Sequence, residues 1–313
     1  MLQTNKTKVT IQMIRLFNIG WHTKVDGPGN RVVLYLQGCH LRCPWCHSPH
    51  SWDMKSSPLL FLEKKCTLCG QCVKACPQGV HRIENRKHFI DRSKCTKCGK
   101  CITACPNSIA NSMDGALSLP TTEIPVEELY SKIKPQLDMF KRNGGITLSG
   151  GEALLQKEDV RELLLLCKRD GISTCVESSF TLPPQAYESV KDCVDFWLAG
   201  LRDTSFGLAN FRNDETIIRN IRIVAGHCQK IYARYPLIAS RTTEDTHLKR
   251  FASIMEATGI TEVEIMRCNP NMELFYTLSG IPCKLEQASS IPTDRQFQKA
   301  CVFFESRHIT VKK

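Results

Sequence analysis

The stretches CTLCGQCVKACP (66–77) and CTKCGKCITACP (95–106) share one pattern, CTxCGxCxxACP. Each sets four cysteines at spacings of three, three and four residues, followed by proline. A segment with a thiol at every third or fourth position has few apolar side chains to fold around, so it must fold around what the thiols bind. The compartment decides whether that is another thiol or a metal. The N-terminal run MLQTNKTKVTIQMIRLF interleaves basic and apolar residues and does not read as a signal peptide. The longest strongly apolar run, LLLLC at 163–167, is far too short for a bilayer. The expected setting is the cytoplasm, with no membrane partner and with the 18 cysteines metal-bound or free.

The run C-x2-C-x2-C-x3-C-P is the pattern of bacterial two-cluster ferredoxins, in which three thiolates wrap one cubane and the fourth crosses to the other. It assigns Cys66, Cys69, Cys72 and Cys105 to one 4Fe–4S cluster, and Cys95, Cys98, Cys101 and Cys76 to a second. A zinc module would show paired C-x2–4-C elements without a third cysteine at the same pitch. The segment also carries ten Lys and Arg between 64 and 100, against Glu63, Glu84 and Asp91. Two readings stay open for them: a docking face for an acidic electron donor, a flavodoxin or ferredoxin, or neutralisation of two anionic clusters.

Around this segment the pattern changes. NRVVLYLQG (30–38) is β-branched and aromatic and reads as a strand. Further strands are expected at 146–150, 172–178, 194–200, 230–239 and 261–267, with HITVK near the end. They alternate with helical runs at 158–170, after Pro184, and at 214–227, 243–259 and 294–307. This order predicts an α/β fold of about six parallel βα units, with ligands at the strand C-terminal ends. The segment 58–110 reads as a module inserted into that series.

The first strand runs into GCHLRCPWCHSP (38–49), where Cys39, Cys43 and Cys46 stand at spacings of four and three. A cubane takes four ligands, so three cysteines leave one iron open to a substrate or cofactor; a zinc or structural site is the competing reading. The C-x3-C-x2-C loop resembles that of the radical S-adenosylmethionine (SAM) enzymes, whose SAM amino and carboxylate groups chelate the open iron. That resemblance implies a partial (β/α)6 barrel with the loop after its first strand. SGGEALLQ (149–156) looks like the family's glycine-rich stretch, which implies that Gly150, Gly151 and Glu152 meet the SAM amino group. Trp45 and His47 flank the cluster. Trp45 reads first as packing, with contact to the SAM adenine as the family-like alternative.

More narrowly, KVDGPGNRVVLYLQGCHLRCPWCHSP (24–49) resembles the activating enzymes of glycyl-radical enzymes. Asp26, Gly27, Pro28, Gly29 and Arg31 match a DGPG-x-R signature. The resemblance implies a surface for a partner's peptide, whereas the residues alone read as a tight turn. STCVES (173–178) also matches and implies that Glu177, next to Ser178, lies near the SAM ribose. The implied architecture is a barrel part with the SAM loop (1–57), a ferredoxin-like insert with two 4Fe–4S clusters (58–112) and the rest of the barrel (113–313). The implied cofactors are three 4Fe–4S clusters and SAM. The implied reaction, an anaerobic one, is reductive cleavage of SAM to methionine and a 5′-deoxyadenosyl radical. That radical takes hydrogen from a backbone glycine of a partner glycyl-radical enzyme. The alternative is a radical SAM enzyme acting on a small molecule or a peptide precursor. The formal charge of +11 counts thiols as neutral. Eleven cluster thiolates against three cores of about 2+ each bring it to roughly +6, so no nucleic-acid partner is required.

The second half departs from the family pattern. The usual Asp-x-Lys aligns with Gly200-Leu201-Arg202, where Arg202 keeps the charge and Asp203 is the nearest acid. The usual Pro-Gly-x-x-Asp is Ala239-Ser240-Arg241. Arg234 still matches, and His247 matches a family histidine at the cost of a gap. Cys167, Cys175, Cys193, Cys228, Cys268, Cys283 and Cys301 show no ligand spacing and read as packing residues or free thiols; Cys268, at a strand end, is the one with a catalytic candidacy.

Overall fold

The computed structural model describes residues 11–109, 113–202, 214–239 and 241–312; Asp203 and Ser240 lie outside them. The chain enters as a hairpin. β1 (Met13–Thr23) pairs antiparallel with β2 (Asn30–Leu36), the strand expected at 30–38. It then leaves the sheet for the cysteine-rich segment: β3 (Leu60–Phe61), α1 (Gln71–Ala75), β4 (His81–Glu84), β5 (Lys87–Ile90), α2 (Lys100–Ala104) and β6 (Leu117–Ser118). β3 pairs antiparallel with β6 and so brings the two ends of the segment together. The sequence repeat is also a repeat of form, since α1 and α2 each start after a left-handed glycine, Gly70 at φ 75° and Gly99 at φ 76°. Asn85 and Arg86, at φ 49° and 59°, turn the β4–β5 hairpin.

The chain returns along β7 (Thr122–Pro125), which pairs antiparallel with the free side of β1. It continues through α3 (Val126–Phe140), β8 (Gly144–Gly150), α4 (Lys157–Arg169), β9 (Ser173–Ser178), α5 (Pro184–Glu188), β10 (Phe196–Ala199), α6 (Asp214–Ala225) and β11 (Lys230–Leu237). α7 (Asp245–Thr258), β12 (Glu262–Arg267), α8 (Met272–Ser279), α9 (Gln287–Ser290), α10 (Asp294–Glu305) and β13 (Thr310–Lys312) complete it. The large sheet has the order β13-β12-β11-β10-β9-β8-β2-β1-β7. From β2 to β13 every neighbouring pair is parallel. The expected series of strands and helices is therefore present. β1, β7, α3, α8 and α9 are additions to it.

Period-two alternation splits the sheet into two faces. Val32, Leu34, Ile146, Leu148, Val176, Trp197, Ala233 and Tyr235 face the helices and form the main core. There they meet stripes such as Val160, Leu163, Leu164 and Cys167 of α4. Burying each such large side chain stabilises the fold by about 1.5–3 kcal/mol. The alternate positions, Tyr35, Ser149, Glu177 and Arg234, face the other way and line a cavity. The sheet curves around that cavity. Arg234 of β11 bonds Asp26 of the β1–β2 turn at 3.2 Å, although β10, β9 and β8 stand between β11 and β2. In a flat sheet four strand spacings would separate them by about 19 Å. Among the described residues no helix is long and apolar enough to cross a membrane.

Candidate active site

The cavity has a volume of about 590 Å³ and opens at the C-terminal ends of the parallel strands. It is walled by Cys39, Cys43 and Cys46 from the loop after β2, by Gly150, Gly151 and Glu152 after β8, by Glu177 and Ser178 at the end of β9, by Arg202 after β10 and by Arg234 of β11. Trp45, His47 and Asp26 are also found there.

Backbone bonds fix the cysteine loop. Gly38 N–H donates to Ser51 O at 2.8 Å, Cys39 N–H to Trp52 O at 3.2 Å and Cys46 N–H to Cys43 O at 3.0 Å. Ser48 N–H points at Cys46 Sγ, 3.4 Å away. The two glycines of SGGE serve this loop directly. A Cβ on Gly150 would fall 2.2 Å from Leu36 N, and one on Gly151 would fall 2.0 Å from Gly38 O. Only glycine lets β8 run this close to the root of the loop. Burial pushes all three thiols above the ordinary range, Cys43 to about 11. Arg202 acts in the opposite direction on Cys43 and Cys46. Thiols kept neutral by burial lose their protons when a metal takes the proton's place, so this donor set fits three corners of a cubane.

Glu152 is 2 % exposed. Its Oε2 accepts the Ser179 N–H at 2.9 Å and the Ser179 hydroxyl at 2.6 Å. Its Oε1 is buried with no hydrogen-bond partner among the described residues. Glu177 accepts from Ser149 Oγ (2.7 Å), Arg202 Nη2 (3.3 Å) and Arg234 Nη1 (3.1 Å). Burial alone would raise this carboxyl; Arg234 and Arg202 hold it below the usual carboxylate range. Arg234, 2 % exposed in its side chain, also bonds Glu264 at 3.0 Å and the carbonyl of Val25. Glu177, Asp26 and Glu264 raise the Arg234 pKa against the lowering effect of its burial.

Several sequence-derived residues fall elsewhere. Arg31 is fully buried. Its guanidinium donates to Thr147 Oγ1 and to the carbonyls of Pro28, Ile146 and Ser173 at 2.6–3.0 Å. It ties the turn to β8 and β9. Gly27 and Gly29 have φ of 112° and 76°, and a Cβ on Gly29 would fall 1.7 Å from Asn143 O. The turn reading thus accounts for Gly27, Pro28 and Gly29, while Asp26 faces the cavity. His247 lies on α7 and is not among the cavity-lining residues. Trp45 is 7 % exposed and packs with Ile238, Met272 and Tyr276, so the packing reading describes it, at the cavity wall. Cys268 also lines the cavity. Ser179 and Trp52 are site residues that sequence reasoning did not single out; the serine pair following Glu177 was the available signal for Ser179.

The repeated cysteines gather in two small clefts. Cys66, Cys69, Cys72 and Cys105 wall one, with Phe61, Ile83, His88 and Leu117. Cys76, Cys95, Cys98 and Cys101 wall the other, with Leu59, Val80, His81 and Leu119. These are the two groups that the spacing sets together, with Cys76 and Cys105 crossing between repeats. Burial pushes Cys101 up to about 11 and raises Cys72 as well. Two all-thiol sets of four fit closed cubanes.

The 4Fe-4S dicluster domain family matches residues 58–115, and the 4Fe-4S single cluster domain family matches residues 25–81. The chain is 31% identical to the (2S)-3-sulfopropanediol dehydratase activating enzyme of Klebsiella oxytoca, over 91% of this chain and 90% of that one. It is 30% identical to the indoleacetate decarboxylase activating enzyme of Tractidigestivibacter scatoligenes, over 76% and 78% of the two chains. The choline trimethylamine-lyase activating enzyme of Oleidesulfovibrio alaskensis is 31% identical over 75% of each chain. On these likenesses, and with the site they surround, the chain belongs to the glycyl-radical enzyme activating enzymes, a family of iron–sulfur enzymes that use SAM.

Proposed function

We propose that the large cavity binds SAM against a 4Fe–4S cluster held by Cys39, Cys43 and Cys46. In this reading the curved sheet is a partial (β/α)6 barrel formed by residues 1–57 and 113–313, and residues 58–112 are a ferredoxin-like insert with two further clusters. The observation that carries it is the unpartnered Oε1 of Glu152, in the same cavity as three thiols. A buried carboxylate oxygen without a donor costs roughly 1–3 kcal/mol, which a ligand ammonium would recover. Cys39, Cys43 and Cys46 would hold the cluster, which with SAM bound would supply the one electron for reductive cleavage of SAM to methionine and a hydrogen-abstracting 5′-deoxyadenosyl radical.

The chain's own residues then have distinct tasks. Ser179 aims Glu152. Arg202 and Arg234 hold Glu177 as a carboxylate whose remaining lone pairs face the cavity, where a ribose hydroxyl can donate. Asp26 is fixed by Arg234 at the rim, beside the exposed Val25, where the glycine-bearing segment of a partner enzyme would meet this chain. The named relatives act on a dehydratase, a decarboxylase and a lyase; for this chain we propose a glycyl-radical enzyme of the same general kind. Cys95, Trp52 and Arg42 line one cleft between the insert and the loop. The set that contains Cys95 is therefore the last stage of an electron route from a flavodoxin or ferredoxin.

The test is anaerobic reconstitution with iron and sulfide, then SAM and dithionite. About twelve irons per chain and formation of 5′-deoxyadenosine are expected. With a partner enzyme added, paramagnetic resonance should show a glycyl radical. Fully iron-loaded protein that releases no 5′-deoxyadenosine overturns the reading.

A further inference from the structure

The two four-cysteine sets are repeats, but a histidine pair between them breaks their equivalence. His88 of β5 walls the first cleft and His81 of β4 walls the second. His88 Nδ1 lies 3.4 Å from Cys66 Sγ. Its Nε2 lies 3.7 Å from Cys72 Sγ and 3.0 Å from His81 Nδ1. Both rings are buried, at 9 % and 4 % exposure. Phe61 stands edge-on to His88, with ring centroids 4.7 Å apart, and restricts its rotation. Cys72, His81 and His88 together could hold a metal ion of their own. Cys72, however, belongs to the complete set around the first cleft, which leaves the two imidazoles another task.

We propose that His88 is a positioning residue that donates a hydrogen bond to the Cys66 sulfur and, braced by His81, holds the first auxiliary cluster at a higher reduction potential than the second. The proposal rests on the reading of the cysteine sets as cluster sites. A cluster thiolate only accepts, and a neutral imidazole has one N–H. An N–H on Nδ1 meets Cys66 at 3.4 Å, the shorter of the two sulfur contacts; the other tautomer would turn the N–H toward Cys72 at 3.7 Å and set a lone pair against Cys66. Nε2 of His88 is then an acceptor, so His81 donates from Nδ1. The Nε2 of His81 becomes a lone pair, and that atom is buried without a partner among the described residues. A hydrogen bond to a cluster sulfur favours the reduced, more negative state and raises the potential. The second set has donors of its own, Val80 N–H at 3.4 Å from Cys76 Sγ and the Lys100 N–H and Thr96 side chain at the exposed Cys98, but among the described residues no imidazole within hydrogen-bond distance of its sulfurs. The one-electron-reduced insert therefore carries its electron on the cluster of Cys66, the one that shares no cleft with the SAM loop.

The experiment is a potentiometric titration of the full chain with titanium(III) citrate, followed by paramagnetic resonance, with iron content measured first. His88→Phe should lower one auxiliary couple by an amount equal to about a tenfold change in its reduced-to-oxidised ratio, about 59 mV for one electron. His88→Gln, which keeps an N–H, should restore part of that shift. His81→Phe removes only the brace and should lower the same couple by less. Unchanged potentials in iron-replete His88→Phe, or a shift shared by all couples, overturn the bridge. If His88→Phe loses iron, His81→Phe decides, and an unmoved couple there overturns it. Wild-type protein that fails to hold about twelve irons overturns the cluster reading beneath it.

Discussion

Around Cys39, Cys43 and Cys46 the walls carry Asp26, Glu152, Glu177, Arg202 and Arg234; around the two four-cysteine sets they carry Leu59, Phe61, Val80, Ile83, Leu117 and Leu119. The thiols differ too: burial raises all three of the open site, and raises Cys72 and Cys101 in the closed sets, where Cys69 and Cys98 are exposed. The walls differ because the donor counts differ. Four thiols complete a cubane and can be closed in by apolar side chains. Three thiols leave a corner, and the group that fills it needs charges and hydrogen-bond partners of its own. In the proposed reading one chain thus holds ligand sets for electron storage and one for chemistry, and the side chains around the thiols separate them.

The largest test of that difference is a pair of matched substitutions. Cys43→Ala should abolish formation of 5′-deoxyadenosine while the protein keeps the iron of both closed sets. Cys98→Ala should remove iron from the insert yet leave dithionite-driven SAM cleavage measurable, because a small reductant can reach the open site directly. Cleavage retained by Cys43→Ala would erase the distinction between the sites.

Next in size is Arg234→Met. Removing a buried cation that three carboxylates share should cost about 3–5 kcal/mol. The pH dependence supplies the signature. In the wild type Arg234 depresses the Glu177 pKa, so this group's stabilisation is present above its unfolded pKa and is lost as pH falls through the folded one. Without the cation, burial raises the carboxyl instead, so stability is lost as pH rises. The deficit of the variant, read from urea unfolding midpoints, should therefore be smaller at pH 5 than at pH 7. An equal deficit at both would show that the network contributes packing rather than charge.

Much of this arrangement was legible in the sequence, for reasons that also mark where legibility ended. β2 and β8 through β12 are short apolar runs separated by amphipathic helices, a pattern that few other folds produce. The cysteine groups were legible because ligand spacing is local. α3 went unassigned because Pro135 sits in its middle and reads as a breaker, although Val126, Leu129, Tyr130, Ile133 and Leu137 form a helical stripe. β1 hides its alternation behind register shifts between Leu16 and Asn18 and between Gly20 and Thr23. DGPG-x-R is one motif in sequence but two environments in space, with Asp26 lining the cavity and Arg31 buried against β8 and β9. The charge network linking Asp26, Glu177, Arg234 and Glu264 could not be read locally, since the curvature of the sheet brings together residues as far apart as 26 and 264.

Glu152→Gln probes the open site more finely. It keeps the shape and an acceptor but removes the charge opposite the ligand ammonium. A hydrogen bond to a charged group is worth about 1.5–3 kcal/mol, so the SAM dissociation constant of the iron-loaded protein should rise about ten- to hundredfold. Auxiliary iron content should not change. Unaltered SAM affinity would remove the observation on which the SAM reading stands.

The smallest effect concerns the closed sites and their basic surroundings. Lys64, Lys65, Lys74, Arg86 and Lys100 are exposed, as are Cys69 and Cys98 and the apolar Leu68 and Val73. An acidic donor that docks here should reduce the insert more slowly as ionic strength rises, by a few-fold between about 0.01 and 0.15 M, where the Debye length falls from about 30 to 8 Å. If these residues only balance the charge of the two clusters, reduction by flavodoxin will be indifferent to salt, since the balance is intramolecular and short-ranged. Stopped-flow reduction at two salt concentrations separates the two. A salt effect that survives Lys64→Gln/Lys65→Gln/Lys74→Gln would place docking away from the first repeat, on the side nearer Cys98.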